Sequence, residues 1–143
     1  MIGFKLSDTK RLFFDRPKVM AATDKAERAA LSKMGAFVRR RAQTSIRPRK
    51  EPSRPGEPPH GHGEQLLRRN IYFFYEPRRR SVVIGPIRLN KVGTAPEALE
   101  HGGLSRVGGR QPRIVRIDAR PYMGPAMIAE QAKAAPLWRN AVR

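Results

Sequence analysis

The order of apolar and polar positions divides the chain into a long helix, a polar stretch and a mixed second half. Between residues 16 and 45, apolar residues recur at three- and four-residue steps, which is the period of one buried helix face. The positions on this stripe are Val19, Ala22, Ala26, Ala30, Met34 and Phe37, with Val38 and Ala42 continuing it. The pattern predicts a helix over 16–45, with Asp15 as its N-cap and Pro17 in its first turn. Pro48 ends the pattern, because the residue before a proline is pushed out of helical geometry.

The segments on either side of this helix have no helical period. Residues 1–15 form an N-terminal segment in which Ile2, Phe4 and Leu6 alternate, as is typical of a short strand. Residues 47–65 contain five prolines and three glycines with few apolar groups. Because so polar a stretch is poorly suited to bury itself, we expect a long, extended basic loop.

The chain after residue 70 changes to strand chemistry. Aromatic and β-branched residues predict a hairpin of 70–76 with 81–86, joined by a turn at 77–80. The alternation over 113–119 predicts a third strand, and the glycine-rich stretch 105–111 predicts a turn before it.

Two further helices are predicted in this half. Thr94 and Glu97 have capping-box spacing at the start of a short helix, which Gly102 would end. A C-terminal helix is expected to start between Pro121 and Pro125, and Pro136 must kink or end it. The order of elements predicts an α+β fold in which a long N-terminal helix and a C-terminal helix pack on a small antiparallel sheet. The 143 residues fit a single domain, 1–143.

Charge adds a prediction about partners. Lys and Arg number 30 against 12 Asp and Glu, a net charge of +18, which favours an acidic partner. Charge alone leaves nucleic acid and an acidic protein surface both open. The turn 77–80 gives its arginines no expected role in the core. The candidate partner-binding residues are the clustered cations Arg39, Arg40, Arg41, Arg47, Arg49, Lys50, Arg68, Arg69, Arg78, Arg79 and Arg80.

The residues that usually carry catalysis or hold cofactors form no convincing group. The acids show no pair spaced for acid and base roles, and no glycine-rich phosphate loop occurs. His60, His62 and His101 have no cysteine to complete a metal site, and the first two are better explained as part of a polar turn. We therefore expect no catalytic residue, no metal and no cofactor. No apolar run approaches the length of a membrane span, and the N-terminus lacks the apolar core of a signal peptide. We expect a chain without a membrane partner that works where it is made.

Several short segments, taken in order, resemble one known family. They are Pro-Gly-Glu-Pro-Pro (55–59), Gly-Glu-Gln-Leu-Leu-Arg-Arg-Asn-Ile (63–71), Val-Val-Ile-Gly-Pro (82–86), Ala-Leu-Glu-His-Gly (98–102) and Ala-Arg-Pro-Tyr-Met-Gly-Pro-Ala (119–126). This series is similar to the tail-component family of tailed bacteriophages and prophages, which are tail-completion or head–tail joining minor tail proteins. The likeness covers roughly residues 18–135, and the last two segments are its most specific parts.

The resemblance implies a structural virion protein of the neck or tail end and not an enzyme. It implies a homo-oligomeric ring with sixfold symmetry that links the connector to the tail tube and is assembled in the host cytoplasm. Expected neighbours are head-completion or connector proteins and tail-tube or terminator proteins, with packaged DNA as a second contact. One alternative is a tail terminator or another neck adaptor. A different class of alternative is a nucleic-acid-binding protein whose arginine clusters hold phosphates.

Overall fold

The computed structural model describes residues 16–61, 66–87, 95–107, 111 and 113–141. The elements in chain order are α1 (Arg16–Ser45), α2 (Leu66–Arg69), β1 (Ile71–Glu76), β2 (Ser81–Pro86), α3 (Ala95–His101), β3 (Gly103–Val107), β4 (Arg113–Ile117), α4 (Met123–Gln131) and α5 (Ala134–Ala141). The predicted α+β class, the helix over 16–45 and the hairpin are confirmed. The N-terminal segment 1–15, its proposed cap Asp15, the cap Thr94 and the last loop positions 62–65 lie outside the described residues.

The buried stripe of α1 is shorter than its apolar pattern. Ala26, Ala30, Met34, Val38 and Ala42 follow one another at four-residue steps and are all buried. Val19 and Ala22 are exposed, so the predicted start of the stripe is wrong, and Phe37 is only half-buried. The start of α1 is exposed because the hairpin is shorter than the helix. The turn of the hairpin contacts α1 at Asp24 and Glu27, and about two helical turns of α1 precede that point.

The hairpin of β1 and β2 packs tightly on α1. Its register runs from Ile71 opposite Pro86 to Glu76 opposite Ser81. A Cβ at Gly35 would lie 2.7 Å from Phe73 Cδ2 and 2.8 Å from Val82 Cγ2. The hairpin can therefore approach the helix this closely only where the helix carries glycine.

A second hairpin replaces part of a predicted turn. β3 pairs antiparallel with β4, with Ser105 opposite Val115. The expected turn at 105–111 is wrong for the β3 residues, and the predicted third strand pairs within this new hairpin instead of joining the first sheet. The described residues contain two separate two-stranded sheets in place of one. The glycines at 108 and 109 made the whole stretch look like a turn, yet Ser105 is only 2% exposed.

The C-terminal helix is broken in two before Pro136. α4 ends at Gln131, a turn follows at Ala132 and Lys133, and α5 carries Pro136 as its third residue. A proline has no N–H to donate and clashes with the carbonyl four residues earlier, so it is accommodated in the first turn of a new helix. The expectation that Pro136 interrupts the helix is confirmed.

The core lies between α1, the first hairpin and α4. Its buried members are Met34, Val38, Ala42, Ile46, Ile71, Tyr122 and Ala126, with Leu67, Ile84, Leu99, Met123, Ala134 and Leu137 packed around them. Among the described residues, no helix has the length and apolar character to cross a membrane.

The polar loop is tied to the body of the protein over residues 47–61. Its ends meet in a bridge between Pro48 and Gly61. Its centre is fixed where the Gly56 N–H donates to the Ala119 carbonyl at 2.8 Å and Arg120 Nε donates to the Ser53 carbonyl at 3.0 Å. Ser53 is 5% exposed. The predicted loop is confirmed over these residues, which form no helix or strand. The expectation that it lacks local burial is wrong at its centre, because backbone hydrogen bonds supply what apolar side chains do not.

Candidate functional site

The end of α3 and the start of α4 are joined by one carboxylate. Glu100 Oε2 accepts hydrogen bonds from the N–H groups of Tyr122 and Met123, each at 2.9 Å, and Oε1 accepts one from Gly124 at 2.7 Å. These N–H groups belong to the start of α4. The first N–H groups of a helix have no acceptors within that helix. Burial, with a further contribution from the Glu100 carboxylate, raises the pKa of the Tyr122 hydroxyl. Sequence reasoning missed this role of Glu100, which we name the Glu100 clamp.

The turn arginines divide into structural and exposed groups. Arg80 Nη2 lies 2.6 Å from Asp24 Oδ1 and also pairs with Glu27, whose side chain is only 10% exposed. The hydrogen bond to Glu27 is the main cause that raises the pKa of Arg80. The expectation that this turn has no role in holding the fold is therefore wrong for Arg80. Arg78 and Arg79 are exposed.

The arginines on α1 divide in the same way. Arg39 Nε donates to the Ile71 carbonyl at 2.7 Å, and its guanidinium lies over the Tyr72 ring. Arg41 pairs through Nε with the buried carboxylate of Glu130 on α4. Arg40 is exposed.

Glu130 receives a second cation from the turn that follows α4. Lys133 Nζ lies 2.5 Å from Glu130 Oε2. The hydrogen bonds from Lys133 and Arg41 hold the pKa of Glu130 below its usual range. Glu130 therefore binds α4 to α1 in its ionised form.

Three of the predicted cations meet at one cleft. A cavity of about 590 Å³ opens between the last turn of α1 and the loop. We call it the basic cleft, and its lining residues are Arg41, Thr44, Ser45, Arg47, Arg49, Glu57, Pro58 and His60. Lys50 is exposed on the same loop. The contributions of Glu57 and His60 were missed from the sequence, because they arise only when the loop closes on itself.

The remaining predicted cations lie elsewhere. Arg69 on α2 is exposed, while Arg68 is half-buried and its carbonyl accepts a hydrogen bond from Gln43 Nε2 at 3.1 Å. The α1 segment between Glu27 and Ser45, which separates the Arg80 contact from the basic cleft, spans about 27 Å. The eleven candidates therefore do not form one continuous surface.

Each hairpin leaves one face uncovered. In the first hairpin, Tyr72, Phe74 and Val83 are 45%, 60% and 42% exposed, while Ile71 is buried. We call this the first open face. Only part of the aromatic run packs against the helix, since Phe73 is half-buried and approaches α1 while Tyr72 and Phe74 are exposed.

The second hairpin repeats this arrangement with charge added. Leu104 and Ile114 are each 70% exposed, and the exposed residues opposite them in the register are Arg116 and Arg106. These four residues form the second open face. Its alternation of two apolar and two cationic side chains has no acidic member.

Metal-ligating groups do not converge in the part of the chain that the structure describes. No set of three or more His, Asp or Glu side chains there could hold a metal ion. His60 Nδ1 lies 2.7 Å from the Glu51 carbonyl, and His101 is exposed at the end of α3. His62 lies outside the described residues.

Comparison with protein-family models, curated proteins and solved structures finds no match to this chain.

Proposed function

We propose that this chain is a ring-forming tail-completion or head–tail joining subunit in the neck or tail end of a tailed bacteriophage. In this role it links the connector to the tail tube and works by contact rather than by catalysis. The proposal combines the sequence resemblance with the surfaces that the fold leaves uncovered.

The observation that carries the proposal is the pair of open faces. A monomeric protein seldom leaves several large apolar side chains together on a sheet face, because their contact with water is unfavourable. Here the first open face has Phe74 60% exposed, and the second has Leu104 and Ile114 each 70% exposed. Two such faces on one small chain favour a subunit whose core is completed by neighbours.

The difference between the two faces favours a ring. A twofold dimer needs one self-complementary surface, whereas a ring needs two different surfaces on each copy that fit one another. The first open face is aromatic and the second is apolar and cationic. Sixfold symmetry comes from the family resemblance.

The Glu100 clamp gives the sequence resemblance a structural basis. The two most specific segments of the likeness, 98–102 and 119–126, are the ones that Glu100 joins by three hydrogen bonds. Gly102 ends α3 with a φ of 77°, in the left-handed region that favours glycine. The motif residues thus set the position of β3 relative to α4.

The nucleic-acid-binding alternative has weaker support. Arg39 and Arg80 each make a hydrogen bond or ion pair within the chain and lie outside the basic cleft. Such contacts reduce the number of guanidinium groups that could bind phosphates independently of the fold.

The test is the position of the protein in phage particles. Particles induced from cells that carry the gene are labelled with an antibody to this chain and examined by electron microscopy. Label is expected at the head–tail junction or tail end, and its absence from neck and tail would overturn the proposal. In cells lacking the gene, the wild-type chain should restore joined particles, while the double variant Leu104→Asp, Ile114→Asp should leave heads and tails separate. Ile128→Asp is the matched control, since Ile128 is equally exposed, at 73%, but lies on α4.

A further inference from the structure

The basic cleft contains three arginines, each held by the fold either at its side chain or at its backbone. Arg41 is held by the carboxylate of Glu130, which is 4% exposed, and it uses only Nε for this ion pair. The Arg41 side chain is 49% exposed. An arginine fixed in this way loses little conformational entropy when a ligand binds.

Arg47 and Arg49 are fixed through their backbone. The Gly61 N–H donates to the Arg47 carbonyl at 2.9 Å, and the Arg49 N–H donates to the Gly61 carbonyl at 3.3 Å. In extended backbone, residues two apart point to the same side. Both arginines accordingly line the cleft, on either side of Pro48.

The other polar groups of the cleft are already engaged. Thr44 Oγ1 and Ser45 Oγ donate to carbonyls of α1 at 2.9 and 2.8 Å. His60 Nδ1 must donate to the Glu51 carbonyl, because a carbonyl oxygen only accepts. The three arginines are therefore the groups that an anionic ligand would meet first.

Glu57 decides which kind of anion fits. Glu57 lines the same cleft, and a carboxylate repels a second anion nearby and accepts hydrogen bonds. A phosphodiester backbone offers no donor to such a group, whereas a peptide offers backbone N–H groups as well as side-chain carboxylates. A volume of about 590 Å³ is also in the range of ordinary ligand sites.

We propose that the basic cleft binds an acidic peptide segment of a partner protein, with aspartate or glutamate side chains on Arg41, Arg47 and Arg49 and backbone N–H groups facing Glu57. This inference rests on the proposed function only in naming the partner as a neighbouring neck or tail protein. Binding itself depends on the cleft alone.

The test uses the full chain and a fluorescein-labelled ten-residue peptide of alternating Asp and Gly, measured by fluorescence anisotropy. The double variant Arg47→Gln, Arg49→Gln should weaken binding roughly tenfold, since each exposed charge contact contributes a few-fold. The matched control Arg78→Gln, Arg79→Gln removes the same charge at the hairpin turn and should weaken binding less than twofold. Equal losses in the two variants would overturn the proposal, because the peptide would then be sensing only net charge.

A thymidine oligonucleotide with the same number of negative charges separates the two classes of anion. The peptide should bind at least as tightly as the oligonucleotide, and Glu57→Gln should tighten oligonucleotide binding but not peptide binding. Oligonucleotide binding that is tighter and lost in the Arg47, Arg49 variant would overturn the proposal in favour of nucleic acid. If the cleft binds peptide as described but the antibody finds no label on particles, the proposed function fails while this inference stands.

Discussion

The β1–β2 hairpin lies directly on α1, where Phe73 and Val82 close around Gly35. The β3–β4 hairpin reaches the same helix through a series of polar contacts. Glu100, at the end of the preceding helix, holds the first turn of α4, and Glu130 on α4 in turn pairs with Arg41 on α1.

This contrast shows that two hairpins of similar size can depend on different forces. The attachment of the first is chiefly close packing around Gly35, to which the ion pairs of Arg80 with Asp24 and Glu27 are added at the turn. The attachment of the second includes two carboxylates, Glu100 and Glu130, so removing either one should loosen it. Three variants test the contrast, beginning with the largest expected effect.

Gly35→Val should be the most destabilising change. The new side chain would overlap Phe73 and Val82, so the hairpin must move away from α1, at a cost of about 3 kcal/mol in the free energy of unfolding. Urea denaturation measures the loss, and Gly85→Val is the control because a Cβ at Gly85 meets no atom within 4 Å. Equal stability of the two variants would show that the close approach at Gly35 does not hold the hairpin.

Glu100→Gln should have an intermediate effect of about 1–2 kcal/mol. The amide retains one accepting oxygen but loses the charge that favours the N-terminus of α4. Hydrogen exchange should show faster exchange in β3 and β4 with little change in β1 and β2. Glu97→Gln changes an exposed residue on the same helix and should leave the hydrogen-exchange rates of both hairpins unchanged. Uniform loosening of both hairpins by Glu100→Gln would contradict separate attachment.

Glu130 should make the second attachment sensitive to acid. Its pKa is lowered in the folded protein by hydrogen bonds from Lys133 and Arg41. The stabilisation is therefore complete above the ordinary glutamate value of about 4.3 and is lost as the pH falls through the lower folded value. The melting temperature of Glu130→Gln should already be lower at pH 7 and should fall less between pH 5 and pH 3 than that of the wild-type protein. Parallel pH profiles for the two proteins would exclude this role for Glu130.

Local patterns predicted the parts of the fold that depend on neighbours in sequence. The period of apolar residues defined α1, and the aromatic and β-branched runs defined the first hairpin. β3 was missed because the glycines that follow it predicted a turn from Ser105 onward, although the Ser105 side chain is buried. Burial of a serine is decided by what packs above it, and a local pattern does not contain that information.

The arrangement of the candidate site depends even more than the fold on contacts between residues that are far apart in sequence. Arg78, Arg79 and Arg80 look alike in sequence, yet Arg80 alone of the three meets Asp24, 56 positions away. Glu100 meets N–H groups 22 to 24 positions away. Charge patterning could therefore name the cations, while their division into structural and open groups required the fold.

The bridge between Pro48 and Gly61 has a consequence for how this chain can vary. Because the two residues are neighbours in a parallel bridge, their strands lie about 4.8 Å apart. Shortening, lengthening or exchanging residues 50–60 would leave the ends of the flanking chain in nearly the same place. The loop can thus be exchanged on a constant frame as long as the contacts of Ser53 and Gly56 with Arg120 and Ala119 are kept. Most of the basic cleft's loop-borne wall lies in this segment, so such an exchange would reshape the cleft while the helix and the hairpins stay the same.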